Sequence, residues 1–600
     1  MTEIRSSGLV GTAFTGPLWP SMGMPTPGTE ALAGNWGWPL WEAVEVVPEL
    51  APPADQADDV ALLVEITVYD KQAVQTFAGP MAPALAGPAG SWGFDIVGGT
   101  TTLYVGTKHV ATDSDHTPAD QPIAGAIVEA LNFRAVTFDG IEPQGPSLFS
   151  KGSIRISDPG DRFAAWCHPR YAFDGWPVVF RRGRVRERRP VTDPATWPVV
   201  ATLITAGLTW DSRGKVVGLR DLGGLLTRAP LLRTFGGTGG TDGDAAMVGR
   251  FKPRALGRGF YCAPPQINAT LLIYKLNDGP IHRAPDVYDG GNRLGVAVYP
   301  DYATFAELAA ASLSPGDVAT CLATGDFRLG GRAQFTVVAY CNGGDATGGY
   351  VEKRAAIARR VVTSNGGYSL TTLQLDEGAF SRFDSAHHAP TGFYFDNEVT
   401  IGDALAEILG GVMGSWIVGT SGLLSIGWLE EPASTPDIIV DSKRILGAEI
   451  SMTTPHIPRW RTIVEWRRNY SPLAAGQRAG NLEISEDEKR LWGSEGSYAE
   501  KSAPGLLTAH PFASSVLVRG GFALEVDARA EAVRANGLMS TPHRRFQVPA
   551  IQGDPFFDWQ WKTVRFDGIN RFSWGAELAV RCVGTGATGN GGTVAFEGWF

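Results

Sequence analysis

The chain has 600 residues, a formal net charge of −10 at pH 7 and a pI near 5.5. Single hydrophobic cores stop growing near ~250–300 residues, so this length predicts several domains. An apolar content of 44% excludes a disordered chain, and the acidic charge argues against a protein dedicated to wrapping nucleic acid.

The composition also predicts β structure. The chain has 75 Gly, 40 Pro, 18 Trp and 28 Phe, which is typical of many short strands joined by turns. We therefore expect a mainly β, multidomain protein with a few short helices, in the α+β class. The five cysteines are widely spaced and form no CxxC pair, so we expect neither a zinc ribbon nor a disulfide framework, and folding in a reducing cytoplasm. The sequence shows no apolar run of 18 residues and no secretory signal pattern at its start.

Residues 1–90 are irregular and punctuated by Pro and Gly. They carry four tryptophans, Trp19, Trp36, Trp38 and Trp41. This is too much apolar surface for a loose tail, so we predict that the segment docks on partner proteins. Only the run DVALLVEITVYD, ending at Asp70, predicts a buried strand, because it is short, apolar and β-branched.

Strand patterns multiply in residues 91–235, which we interpret as a first antiparallel β-domain. FDIVGGTTTLYVG predicts a hairpin around Gly98-Gly99, and TLITAGLTWDSRGKVVGLRD predicts one that turns at Ser212-Arg213-Gly214. SKGSIRISD alternates apolar and polar residues, as a half-buried strand does.

One run in this domain, WPVVFRRGRVRERRP, is strongly basic and predicts a hairpin with a basic second arm. Its candidate partner-contact residues are Arg181, Arg182, Arg184 and Arg186. They could form a stripe that contacts phosphates, an edge strand whose charge discourages aggregation, or an Arg-rich face between subunits. The last two interpretations are favoured, because no aromatic residues for base stacking alternate with the arginines.

Residues 236–600 divide into an α+β insertion (236–362), a helix-plus-hairpin domain (363–440) and a second β-domain with peripheral helices (441–600). Helices are predicted in YATFAELAAASL, YVEKRAAIARRVVTS and VDARAEAVRANGL, and behind the capping residues Thr400 and Ser485. SWIVGTSGLLSIGWL predicts a hairpin and RWRTIVEWRRNY a long strand. The runs WKTVRF, AELAVRCVG and GTVAFEGWF predict three closing strands.

Motifs of catalysis are missing from the sequence. It contains no GxSxG, HExxH or GxxxxGK[ST] pattern. The glycines of 236–243 place Asp242 where a dinucleotide-binding loop needs its third Gly, so they predict a tight surface loop. The acidic stretches DEGAFSRFDS and SEDEKR are interpreted as helix surfaces rather than as a glycosidase pair of carboxylates.

The histidines give two weak signals. His109 and His116, with Asp113 and Asp115, could ligate a metal, although a solvated loop explains the same residues and is favoured. The pair His387-His388 predicts a surface loop. We therefore assign no catalytic, cofactor-binding or metal-binding residue, expect no cofactor, and predict that the protein is not an enzyme.

Longer runs carry a family resemblance: TLYVGTKHVATDSDHTPADQPIAG (102–125), SDPGDRFAAWCHPRYAFDGWPVVFRRG (157–183), FGGTGGTDGDAAMVGRFKPRALGRGFYCAPP (235–265), LIYKLNDGPI (272–281) and ATCLATGDFRLGG (319–331). Together with VTIGDALAEILGGVMGSWIVGTSGLLSIGWLEEP and RTIVEWRRNY, they resemble the tail-tip baseplate hub proteins of siphophages and prophages. The resemblance covers roughly residues 95–600 and implies two tail-tube-like antiparallel β-barrels with small α/β domains inserted.

The resemblance further implies a structural subunit at the distal end of a virion tail, made in the cytoplasm of the bacterial host. The implied partners are its own copies, in a homotrimer, together with a distal tail ring, a tape measure protein and a central fibre. Phage DNA would pass through the channel without specific binding, and no integral membrane segment is expected. A hexameric distal tail protein and a receptor- or polysaccharide-binding tail protein remain alternatives.

Overall fold

The structure, a computed structural model, is mainly β with a few short helices, which confirms the predicted fold class. It describes residues 59–70, 92–97, 100–106, 127–136, 148–156, 171–186, 189–190, 196–211, 214–221, 223–295, 299–364, 374–419, 421–445, 450–452, 456–480, 485–552, 559–567, 578–588 and 593–599.

The first group of strands comes from residues before 221. It comprises β1 (Asp59–Asp70), β2 (Trp92–Val97), β3 (Thr100–Gly106), β4 (Ile127–Val136), β5 (Leu148–Ile156), β6 (Tyr171–Ala172), β7 (Asp174–Arg186), β8 (Arg189–Pro190), β9 (Val199–Asp211) and β10 (Gly214–Arg220). The ladder runs β2-β3-β1-β7-β9-β10-β5-β4. Both predicted hairpins are confirmed, since β2 pairs with β3 and β9 pairs with β10 in antiparallel register. β5 shows the expected alternation, with Ile154 and Ile156 buried.

β1 lies inside this sheet. It pairs with β3 along one edge and with β7 along the other. The sheet therefore includes a strand from the segment before residue 91, and the predicted strand DVALLVEITVYD has a neighbour on each side. The division of the chain into domains at the predicted residue numbers stays a prediction.

The middle of the chain forms short elements. They are α1 (Gly223–Leu226), β11 (Arg254–Gly257), β12 (Phe260–Cys262), β13 (Gln266–Asn268), β14 (Ile273–Lys275), β15 (Asp286–Asp289), β16 (Asn292–Arg293), α2 (Phe305–Ala310), β17 (Val318–Cys321), β18 (Asp326–Leu329), β19 (Val337–Cys341), α3 (Arg354–Thr363), α4 (Glu377–Ala386), β20 (Gly392–Phe395), α5 (Ile401–Gly410), β21 (Gly414–Val418) and β22 (Leu424–Trp428). Their strands make two four-stranded and two two-stranded sheets, among them the predicted hairpin β21-β22.

The last part of the chain returns to longer strands. It comprises β23 (Ile438–Asp441), β24 (Ser451–Met452), β25 (Arg459–Trp466), α6 (Glu486–Trp492), β26 (Ser497–Ser502), α7 (Leu506–Ala509), β27 (Ser514–Phe522), α8 (Glu525–Met539), β28 (Arg545–Gln552), β29 (Thr563–Asp567), β30 (Leu578–Thr588) and β31 (Thr593–Trp599). β25 lies between β26 and β27, and α8 packs on this small sheet. The three closing strands are confirmed.

The predicted helix starts follow from local capping. The Thr400 side chain accepts a hydrogen bond from the Asp403 backbone N–H, and the Asp403 carboxylate accepts one from the Thr400 backbone N–H, so α5 begins with a capping box. Ser485 and Glu488 do the same for α6. The longest helix in the described part of the chain, α8, has 15 residues, and no described helix combines the length and hydropathy needed to cross a bilayer.

One hydrophobic core joins the middle of the chain to its later part. It draws buried side chains from α1, α3, α4, α5, β21, β22, β25, β27 and α8, between Leu226 and Ala532. Each fully buried Leu, Ile or Phe in it contributes about 1.5–3 kcal/mol to folding. Segments that the sequence divides at residues 363 and 441 therefore share one core.

Candidate functional site

The arginine-rich run lies in β7, which occupies the centre of the sheet. β7 is a single strand of 13 residues, paired with β1 on one edge and β9 on the other. The predicted hairpin is found only at the end of the run, where the two-residue β8 pairs antiparallel with Val185 and Arg186. The four candidate arginines lie in β7 itself and not in a second arm. The edge-strand interpretation was wrong for the first part of β7, because residues 178–181 pair with both β1 and β9. Beyond Arg181 the β9 ladder ends, and Arg182 and Arg184 pair with β1.

The four candidate arginines are distributed along that strand. Arg181 is half-buried, and its Nη1 donates a hydrogen bond of 2.9 Å to the carbonyl of Trp197, so it ties β7 to the segment before β9. The backbones of Arg182 and Arg184 pair with β1, and that of Arg186 pairs with Arg189 of β8. The structure thus places Arg181 in an internal contact. A role in subunit contacts stays a prediction for all four.

Several predicted residues lie outside the described part of the chain. These are the partner-contact residues Trp19, Trp36, Trp38 and Trp41, and the candidate metal ligands His109, Asp113, Asp115 and His116. Partner docking by the tryptophans and metal binding by these His and Asp residues therefore stay predictions. Within the described residues, no group of three or more His, Cys, Asp or Glu side chains is arranged to hold a metal ion.

The glycine loop at 236–243 closes on its own aspartate. The Asp242 carboxylate accepts hydrogen bonds from the Gly236 backbone at 3.1 Å and from the Thr238 hydroxyl at 2.8 Å, and Lys252 Nζ lies 2.7 Å away. The Lys252 ammonium and these donors hold the pKa of Asp242 well below its usual range. The donors that could receive a phosphate are already used by a carboxylate, which supports the tight surface loop predicted from the sequence.

The acidic stretches form helix surfaces, as predicted. Asp376 caps α4 by accepting from the Ala379 backbone, and Glu377 pairs with Arg359 on α3. In α6, Glu486 pairs with Lys489 three residues later. These carboxylates cap helices and form ion pairs.

The two adjacent histidines differ, and the prediction of a surface loop was wrong for one of them. His387 ends α4 with only 9% of its surface exposed, and its ring lies 5.0 Å from that of Phe383 and 5.1 Å from that of Trp428. His388 is exposed. Burial, together with the nearby charge of Arg534, lowers the pKa of His387 to about 3. His387 is therefore neutral in the folded chain at pH 7.

This burial predicts a pH dependence of stability. Because the pKa of His387 is near 6.5 in the unfolded chain and about 3 in the folded one, stability falls as the pH drops below 6.5. Replacing His387 by Leu is expected to remove up to about 2 kcal/mol of the loss between pH 7 and pH 5, at about 1.4 kcal/mol per pKa unit. Urea unfolding at pH 7 and pH 5 measures this difference in the free energy of unfolding. His388→Leu is the matched control and should keep the dependence of the unsubstituted chain; equal behaviour of the two variants would contradict the assignment.

Sequence reasoning missed the contact that joins the two ends of the chain. β4 pairs with β30 in antiparallel register, from Val136 opposite Gly584 to Phe133 opposite Ala587. Beyond β30 the ladder continues through β31 and β28 to β24, and β29 pairs with both β30 and β23. The early and the late strands therefore form one sheet of 16 described strands. No local pattern could reveal this pairing, because its strands lie more than 400 residues apart.

This joint sheet is an open path in the described residues. No ladder between named strands closes it into a barrel, so the two predicted closed barrels are not found there. A single bridge from Ile445 to Ile551 links the chain after β23 to β28. The late strands nevertheless surround their own core, which includes Val440, Phe546 and Val564.

Comparisons with known proteins give only distant similarities. No protein-family model matches the chain, and no curated protein matches it. It is similar to the 43 kDa tail protein of prophage MuSo2 from Shewanella oneidensis, at 8% identity over 78% of this chain and 93% of that one, with a TM-score of 0.30. A tail protein from Neisseria meningitidis MC58 shows 10% identity, coverage of 78% and 91%, and a TM-score of 0.32. Prophage tail protein gp18 from Listeria monocytogenes EGD-e shows 6% identity over 78% of this chain and 88% of that one, with a TM-score of 0.26. Scores this low carry no argument about fold or function.

Proposed function

We propose that the chain is a structural subunit of a phage tail tip, an oligomeric baseplate hub that caps or adapts the tail tube and attaches tip proteins or fibres. The observation that carries this proposal is the joint sheet, in which strands from both ends of the chain pair through β4 and β30. The long sequence runs that resemble hub proteins support it independently.

The joint sheet suits a ring subunit for a physical reason. An open sheet presents backbone N–H and C=O groups at its edges, which are templates for strands of another chain. Among the described strands, β2 and β24 each have one ladder partner and end the path. Two tube-like β-domains in each subunit, continued by the next copy, would close a ring of three copies around a channel.

The acidic charge suits the passage of DNA. A net charge of −10 repels phosphates, so DNA can slide past such a subunit without adhering to it. In this proposal the protein acts at the distal end of the virion tail, is not an enzyme, and contacts a distal tail ring, a tape measure protein and a central fibre. The Trp-rich segment before residue 90 would dock on one of these partners.

Counting copies tests the proposal. Light scattering of the purified chain is expected to give three times the monomer mass of 64.0 kDa, and electron microscopy of virions should show three copies at the distal end of the tail. Six copies in a ring would assign the chain to the distal tail ring instead. A monomer that binds host polysaccharide, with no density in the tail, would refute the hub.

A further inference from the structure

A cavity of about 220 Å³ opens where four separate segments of the chain meet. It lies among the turn after β11, the segment before β15, the end of β19 and the junction between β27 and α8. The residues that the argument uses are Arg258, Arg283, Tyr340, Cys341, Ala523 and Leu524.

Two arginines, Arg258 and Arg283, line this cavity. Nε of Arg258 lies 2.9 Å from Glu352 Oε2, and the Arg258 side chain is 38% exposed, so part of its guanidinium faces solvent. Arg283 is exposed, and its side chain contacts no carboxylate in the described part of the chain. The next acid along, Asp286, is already engaged by Arg293 and by the Asn342 amide. The cavity therefore presents more positive charge than its own acids balance.

The cavity is rigid and chemically inert. A Cβ at Gly259 would lie 2.5 Å from the Ala523 backbone, so only glycine lets these two walls approach. The Cys341 thiol donates to the Gly257 carbonyl, and burial raises its pKa to about 12, so it stays protonated. A protonated thiol is a poor nucleophile, so Cys341 would not react with a ligand in the cavity.

Exposed apolar residues follow the cavity along the chain. Leu524 lines the cavity and is 43% exposed, and it is followed by Val526 and Val533, seven residues apart on the outer side of α8, which are 68% and 51% exposed. Their spacing places both valines on one face of the helix. A ligand that reaches from the cavity over this face would cover apolar surface as well as charge.

We propose that this cavity binds the carboxylate of an acidic side chain in a segment of a neighbouring protein, whose apolar residues cover Leu524 and the outer face of α8. The planar forks of Arg258 and Arg283 match a carboxylate, which accepts two parallel N–H bonds from a guanidinium. The proposed binding of a carboxylate does not depend on the proposed function as a tail-tip subunit.

Size and charge favour a peptide carboxylate over a nucleic acid. The cavity is smaller than the ~300–1,000 Å³ of sites for whole small molecules, and it suits one or two side chains. Nucleic-acid binding rests on many phosphate contacts along a basic surface, whereas this chain carries a net charge of −10 and offers two arginines here.

Matched peptides test the proposal on the full-length chain. Titration calorimetry would compare Ac-Ala-Leu-Glu-Ala-Leu-NH₂ with the same peptide carrying Gln in place of Glu. We expect the Glu peptide to bind at least about tenfold more tightly, and Arg283→Gln to remove that preference. Leu524→Ser should weaken both peptides, because it removes the shared apolar contact.

Controls separate this site from general charge effects. Arg332 is also exposed and lies outside the cavity, so Arg332→Gln should bind the Glu peptide as the unsubstituted chain does. Thermal unfolding midpoints check that each variant is folded. Equal binding of the two peptides would overturn the proposal, as would inorganic phosphate that competes with the Glu peptide at equal concentration. Copy number is measured without peptide, so either proposal can fail without the other.

Discussion

Replacing Arg354 by Ala is expected to lower the free energy of unfolding by about 3–5 kcal/mol. Arg354 is the first residue of α3 and is 1% exposed. Its guanidinium donates to the carbonyls of Ile408, at the end of α5, and of Gly520, in β27, the latter at 2.5 Å. Without it, two buried carbonyl groups lose their donors and a cavity opens in the shared core.

The aromatic surroundings of Arg354 add to this effect. Its guanidinium carbon lies 5.5 Å from the ring centroid of Phe393 and 5.2 Å from that of Phe522. Desolvation lowers the pKa of Arg354 to about 10, so the side chain is still charged at pH 7 and its attraction to both rings is retained. One side chain therefore connects α3, α5, β20 and β27.

Urea unfolding followed by tryptophan fluorescence measures the loss, because Trp416 lies in the same core. Arg359→Ala is the matched control on the same helix. Arg359 forms a surface ion pair with Glu377, and such pairs contribute about 0–1 kcal/mol. Equal unfolding midpoints for the two variants would show that Arg354 does not hold these elements together.

Gly257→Ala is expected to cost at least about 4 kcal/mol, enough to detach β20 from β11. Gly257 ends β11 with a φ of +67°, and a Cβ there would lie 1.9 Å from the Thr391 carbonyl oxygen. No side-chain rotation relieves a collision with backbone. The same turn positions Arg258, so the variant should also lose the preference for the Glu peptide.

Gly249→Ala separates the collision from backbone strain. Gly249 has a φ of +77°, and a Cβ there would meet no atom within 4 Å. This control should therefore show only the cost of a left-handed conformation, about 1 kcal/mol. Thermal and urea unfolding of both variants give the comparison, and a Gly257→Ala chain as stable as the control would contradict the packing described for β11.

Features determined by neighbouring residues were predicted well from the sequence. The Gly98-Gly99 pair in the sequence predicted a hairpin, and the strands on either side of it, β2 and β3, do pair. The Thr400 capping box depends on residues three apart. The interpretation of residues 236–243 as a tight surface loop depended on one residue, Asp242, whose carboxylate accepts a hydrogen bond from the Gly236 backbone of the same loop.

Features determined by distant parts of the chain were not predictable. The composition of β7 is that of an edge strand, yet between Val178 and Arg181 the strand pairs with β1 on one edge and β9 on the other. His387 follows helix α4 and is next to an exposed histidine, and its ring packs against Trp428 of the distant strand β22. Arg258 and Arg283 form one cavity only because residues 523 and 524 close it from the far side. A single sequence contains no local pattern that indicates which distant residues come into contact.

The pairing of β4 with β30 also determines when the sheet can be completed during synthesis. A ribosome releases β4 long before it has made β30, which spans residues 578–588. The edge of β4 that pairs with β30 therefore stays unpaired while the middle elements fold. Contacts between residues this far apart form slowly, because the entropy of closing the long loop is lost before the contacts contribute any stabilising free energy. Until then β4 presents an open edge to other nascent chains, which makes early termination of translation a route to aggregation.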